Sequence, residues 1–131
     1  MTGPWSSYSD LFLIGLALTS VALLGLPLFF APLAWARVLR WPQPEERRLT
    51  VYLGRCLGAV ICVLAAFALV AASDPALQPF FFQIVMANFG LMVAVHAWGA
   101  FRRIQPWTET AETFVWLGLL VLALLCYPAA A

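Results

Sequence analysis

"VYLGRCLGAVICVLAAFALVAA", Val51 to Ala72, is 22 residues long and carries one charge, Arg55. The hydrocarbon core of a bilayer is about 30 Å thick and takes roughly 20 apolar residues in a helix to cross. The stretch is long and apolar enough, so it reads as a membrane span. Three further runs qualify. The first is Leu11 to about Leu33, extending toward Ala36. The others are Phe80 to Phe101, and a run from near Trp107 to near Tyr127. Pro27 and Pro32 fall in the first run, so its inner end is expected to kink or unwind.

Composition agrees. The chain has 131 residues, 64% hydrophobic and 10% charged, against about 25% charged in an ordinary soluble domain. There is too little polar surface to coat a water-soluble globule. The fold class expected is an all-α integral membrane four-helix bundle, with residues 1–131 as one transmembrane domain. The basic residues are all Arg, and Ala, Leu, Gly and Pro abound; that usage suggests a GC-rich bacterial genome. A net charge of +1 gives no reason to expect a nucleic-acid partner. Cys56, Cys62 and Cys126 lie in apolar runs without CxxC spacing, so they read as small packing residues. The first ten residues carry no basic charge. A secretory signal needs a positive start, so the first run is expected to stay as a span.

The loops give an orientation. Arg37, Arg40, Arg47 and Arg48 lie between spans one and two, and Arg102 and Arg103 between spans three and four. By the positive-inside rule these loops are cytoplasmic and both termini periplasmic, in a bacterial inner membrane. Trp35, Trp41, Trp98 and Trp107 cluster at the same boundary, where amphipathic rings are favoured. Pro106 sits where the fourth helix should begin, with Glu109 and Glu112 in its early turns, where the positive helix end favours carboxylates. Phe80, Phe81 and Phe82 read as anchors at the outer boundary.

The two arginine loops echo each other. A shift of 63 or 64 residues lays Ser9-Asp10 on Ser73-Asp74, Ala34-Trp35 on Ala97-Trp98, and Arg40 on Arg103. It also lays Val51-Tyr52-Leu53-Gly54 on Val115-Trp116-Leu117-Gly118. The pattern reads as a duplicated hairpin, about 9–72 and about 73–131. Two crossings per copy preserve orientation, so the copies should be related by a pseudo-two-fold along the membrane normal. Under this alignment His96, Asn88 and Arg55 have only apolar or glycine counterparts.

Those residues are the candidate site. At 100° per residue, Asn88, Met92, His96, Gly99 and Arg103 fall within about 80° of the third helix, and polar residues in a span are expected to face the bundle interior. His96 lies about 9 Å, and Arg55 about 7–8 Å, inside the cytoplasmic boundary at 1.5 Å per residue. Arg55, Asn88, His96 and Glu112 are therefore candidate ligand-binding residues, for a lipid headgroup or a quinone carbonyl, or for a proton relay. The bland alternative is an Arg55–Glu112 ion pair with His96 as hydrogen-bonding glue, or Arg55 reaching to the headgroups. A metal is not expected: Met92 and His96 offer Cu(I) two ligands at i, i+4 and no evident third. Gly54, Gly58, Cys62 and Ala66, every fourth residue, form a small-residue stripe for close helix packing.

No catalytic constellation is evident. The leading expectation is a non-catalytic accessory or structural subunit of a larger membrane complex, partnered by other membrane subunits or by itself. The rival is a lipid- or quinone-binding carrier with a pocket near His96. An enzyme using His96 with Glu112 is the third.

Overall fold

A computed structural model describes residues 2–129. Among these the fold is all-α, and four helices are long and apolar enough to span a membrane: Ser6–Phe30, Arg48–Ser73, Gln78–Arg102 and Trp107–Leu125. The shortest has 19 residues, about 28 Å at 1.5 Å per residue. Phe30, Phe101 and Phe114 are among many large apolar side chains left exposed. A lipid-facing surface accounts for that, because hydrocarbon chains leave such groups without a cost. This is the make-up of a multi-pass membrane protein.

The first span is built in pieces, and its prolines explain why. Helix α1, Ser9–Ser20, runs into one wider π-helical turn, Val21–Gly25, where the Leu26 N–H reaches back five residues to the Val21 carbonyl. Helix α2, Leu26–Phe30, follows. Pro27 has no N–H, and its ring would press on the Leu23 carbonyl of a regular helix; the wider turn relieves both problems. Ala31 then leaves the helical region (φ −139°, ψ 56°) because it precedes Pro32. Helix α3, Pro32–Val38, ends at Arg40 in the left-handed region, φ 64°. Helices α4 (Arg48–Ser73), α5 (Gln78–Arg102) and α6 (Trp107–Leu125) are continuous.

The chain packs as two compact units: Ile14–Leu69, and the residues up to Leu13 together with those from Val70 onward. In the first unit, α4 lies against α2 at very short range. A Cβ added at Gly58 would meet the Phe29 nitrogen at 2.5 Å and the Gly25 carbonyl oxygen at 2.7 Å. One added at Gly54 would meet the Pro32 ring at 2.5 Å, and one at Gly25 would meet the Cys62 sulfur at 2.7 Å. The small-residue stripe therefore seals this hairpin internally. Its lower end departs from the every-fourth-residue reading. Ala66 is exposed, whereas Ala65 and Ala68 are buried. Each four-residue step advances 40° too far around a helix of 3.6 residues per turn, so after three steps the row has left the seam.

In the second unit, α5 packs along α6 and the amino-terminal segment straps the end of α6. Gly3 and Trp5 donate backbone hydrogen bonds to the Tyr127 and Leu125 carbonyls, at 2.9 and 2.8 Å. The buried Ser9 hydroxyl lies 2.8 Å from the Cys126 carbonyl and 2.6 Å from that of Ser6. Phe82 is fully buried, with Phe12 at 5.5 Å and Tyr127 at 5.8 Å between ring centroids. Of the three phenylalanines expected as boundary anchors, Phe80 alone is exposed; Phe81 and Phe82 are core. Their helical phase, shared with Val85 and Phe89, puts them on the packed side.

Replacing Gly58 with Leu should break the first unit. Inserting a side chain into packed backbone costs about 1–3 kcal/mol or more, so thermal stability in detergent should fall clearly. Gly118 has open space where its Cβ would lie. Gly118→Ala should instead hold or raise stability by up to about 1 kcal/mol, the helix-propensity difference. Equal, small effects at both positions would show that α4 and α2 are not in backbone contact.

Candidate functional site

The carboxyl end of α5 and the amino end of α6 are held together by a short, tightly specified connection. Arg103 ends α5 in the left-handed region, φ 54°, ψ 36°. Its N–H bonds the Ala100 carbonyl, and the Ile104 N–H bonds the Gly99 carbonyl at 3.1 Å. These are the two closing bonds of a Schellman motif. Pro106 then stands extended (ψ 159°) immediately before α6. Between them, Gln105 folds back over α5. Its amide nitrogen donates to the His96 carbonyl at 2.9 Å and approaches Thr110 Oγ1 at 3.2 Å. Gly99 makes this possible: a Cβ there would collide with the Gln105 side chain.

The clamp sets the first two turns of α6 against His96. The imidazole is buried, with the residue 5% exposed. Its Nδ1 lies 2.8 Å from the Met92 carbonyl oxygen. A carbonyl only accepts, so Nδ1 carries a hydrogen and donates it. Nε2 is thereby aimed at two carboxylates: Glu109 Oε2 at 3.2 Å and Glu112 Oε2 at 3.6 Å. The glutamates are one helical turn apart on α6, and the partial positive charge of the helix start favours both. Trp116 forms the next layer, its ring 6.1 Å from that of His96 and 5.9 Å from that of Phe89. The Trp116 indole N–H is a donor toward Glu112, and the buried Thr113 hydroxyl, on the same turns of α6, finds no partner in hydrogen-bond geometry among the described residues.

This arrangement has a definite electrostatic consequence. With Nδ1–H committed to Met92, a neutral imidazole turns a bare lone pair toward two acceptor groups. The imidazole is buried and the two carboxylates are partly exposed; a positive charge among the three acceptors turns their mutual repulsion into attraction. The three groups could hold a proton or a metal cation.

Of the residues the sequence singled out, His96 and Glu112 are brought together. Glu109 lies nearer to the imidazole than Glu112 and was not singled out, although its i, i+3 spacing to Glu112 was readable. The Gln105 clamp was not readable, because it depends on the shape of the connection. Asn88 stands two turns from His96 on α5 and is exposed. The buried face of α5 runs through Val85, Phe89, His96 and Gly99, and Asn88 lies at its rim. Arg55 is exposed on α4, in the other unit. No family model, characterised protein or solved structure matches this chain.

The clamp makes a prediction of its own. Gly99→Ala should push Gln105 off α5 and cost about 1–2 kcal/mol, the worth of one or two hydrogen bonds. In a Gln105→Ala background the same substitution should cost almost nothing, since its obstacle is gone. Additive effects in this double-mutant cycle would show that the two residues do not meet.

Proposed function

We propose that this chain is a small non-catalytic protein of the bacterial inner membrane, acting as an accessory subunit of a larger membrane assembly. The supporting observation is Asn88. It lies ten residues into α5, about 15 Å along a helix at 1.5 Å per residue, and thus near the middle of the bilayer. Its amide is exposed and makes no hydrogen bond among the described residues. Hydrocarbon satisfies neither its donors nor its acceptors, whereas a side chain on a neighbouring transmembrane helix satisfies both. A protein partner, another chain or a second copy, is the economical cover for that face. The small-residue stripe does not contribute to this reading, since it is consumed within the first unit.

In the proposed orientation the arginine-bearing connections face the cytoplasm and both termini the periplasm. His96, Glu109 and Glu112 then lie on the cytoplasmic side, as the polar centre that the subunit brings to the assembly.

The subunit is proposed to have arisen by duplication of one hairpin. Support comes from the two positive-φ non-glycine residues among the described residues, Arg40 and Arg103. They are 63 positions apart, and their bonds match. Arg40 N–H reaches the Arg37 carbonyl and Trp41 N–H that of Ala36; Arg103 N–H reaches Ala100 and Ile104 N–H reaches Gly99. A left-handed arginine costs roughly 1–2 kcal/mol, so two at equivalent places are not expected of unrelated loops. The copies differ downstream. Aligned on Gly54 and Gly118, α6 begins five residues earlier than α4. The additional residues carry Glu109, and Glu112 stands where α4 has its first residue, Arg48.

Native purification followed by mass spectrometry and native gels tests the subunit reading. The wild-type chain should carry a stoichiometric protein partner or a second copy, and Asn88→Leu should shed it while remaining folded. A lone wild-type chain with a bound lipid or quinone would favour the carrier reading instead. Cysteines placed at Glu45 or Glu46 should be labelled only from the cytoplasmic side; periplasmic labelling would reverse the topology.

A further inference from the structure

We infer that His96, Glu109 and Glu112 form a binding site for one divalent first-row transition ion of the zinc class. This inference does not depend on the subunit reading.

The donor atoms suit such an ion. Nε2 of His96 and one oxygen from each glutamate all lie within 4.8 Å of one another. The two separations from Nε2 are 3.2 and 3.6 Å. Ligands bound at about 2.0–2.1 Å to a tetrahedral ion stand about 3.3 Å apart, so the two separations from Nε2 already fit, and the glutamate oxygens close on the ion by side-chain rotation. One neutral imidazole and two carboxylates give a net charge of −2, which a divalent ion neutralises. The mixed nitrogen and oxygen set favours Zn(II), Co(II), Fe(II) or Mn(II) over Cu(I), which prefers sulfur.

The outer contacts point the same way. A metal-bound histidine characteristically donates its other ring N–H to a carbonyl or carboxylate, which fixes the tautomer and directs the lone pair at the ion. His96 does this through Met92 at 2.8 Å. The imidazole is more than nine-tenths buried, and its Nε2 faces the Glu109 and Glu112 carboxylates. A metal cation placed between the three groups satisfies all of them at once, as a proton does for a pair. The ligand polypeptide is also preset: Gln105 ties the His96 carbonyl to Thr110, one residue from Glu109. Three protein ligands leave a fourth position open for water or another small donor. The buried Thr113 hydroxyl, without a partner among the described residues, stands on the adjoining turn of α6 and is suited to hold such a molecule. The sequence reading set a metal aside for want of a third ligand beside Met92 and His96. Folding supplies two carboxylates and uses Met92 through its backbone carbonyl rather than its sulfur.

The test uses the full-length protein in detergent, stripped with a chelator and titrated with Co(II). One equivalent should bind, with visible absorption typical of a low-coordinate nitrogen–oxygen site, and Zn(II) should displace it stoichiometrically. His96→Gln should abolish the absorption. Glu109→Gln and Glu112→Gln should each weaken binding by more than the roughly 10–100-fold that loss of an outer contact costs. Should His96→Gln fail to fold, the two glutamine variants decide, since each keeps the side-chain shape. Absence of Co(II) and Zn(II) binding by the folded wild type would overturn the inference and leave the site to a proton. Binding that survives all three substitutions would also overturn it, by placing the ion elsewhere. Neither result would bear on whether Asn88 meets a protein partner.

Discussion

A hydrocarbon layer can neither donate nor accept a hydrogen bond, and the folded chain is organised by where it meets that demand. Backbone groups meet it through helices, including one widened turn where Pro27 withholds an N–H. Interrupted places close locally: Ala31 bonds Pro27, and the two arginine-bearing ends of α3 and α5 return their N–H groups to the preceding turn. Side chains meet the same demand less uniformly. Thr19 bonds its own helix at Gly15, and Ser9 reaches the carbonyl of Cys126. His96 satisfies one nitrogen on Met92 and faces two carboxylates with the other. At that second nitrogen the pairing closes when a positive charge, a proton or a metal ion, takes part.

The two compact units do different work. In Ile14–Leu69 the helices approach until backbones touch, and Gly25, Gly54 and Gly58 are what the approach requires. In the other unit α5 and α6 keep room for Phe82, Phe89, Trp116 and His96. Polar chemistry needs that room. If one hairpin gave rise to both, the first copy became a rigid packing element. The second begins α6 five residues earlier, and that added turn carries Glu109 to the imidazole.

Hydropathy and length made the four spans legible in the sequence, because membrane thickness leaves little choice of helix length. Pro106 marked the start of α6, and the prolines of the first span marked its irregular end. Finer features followed less well from spacing alone. Ala66 drops out of the packing stripe because a four-residue step overruns the helical turn. Asn88 falls at the rim of the α5 face, since a polar stripe drawn through Asn88, His96 and Arg103 is offset from the face that Phe89 and Val85 define. Phe81 and Phe82 are core rather than anchors for the same reason. The Gln105 clamp depended on how the connection after Arg103 turns, which a left-handed arginine fixes and no residue pattern announces; Glu109 was legible only through its i, i+3 spacing to Glu112.

The orientation of the imidazole is the point on which the site turns, and the chain offers a direct way to read it. His96 is the only histidine, so protein grown with ring-15N histidine reports this one residue. Nitrogen NMR of the chelator-stripped protein, and again after one equivalent of Zn(II), should show hydrogen on Nδ1 throughout. The Nε2 resonance alone should move to that of a metal-bound nitrogen. A ring that carries its hydrogen on Nε2 with Nδ1 bare, or that is unchanged by Zn(II), would contradict the arrangement described.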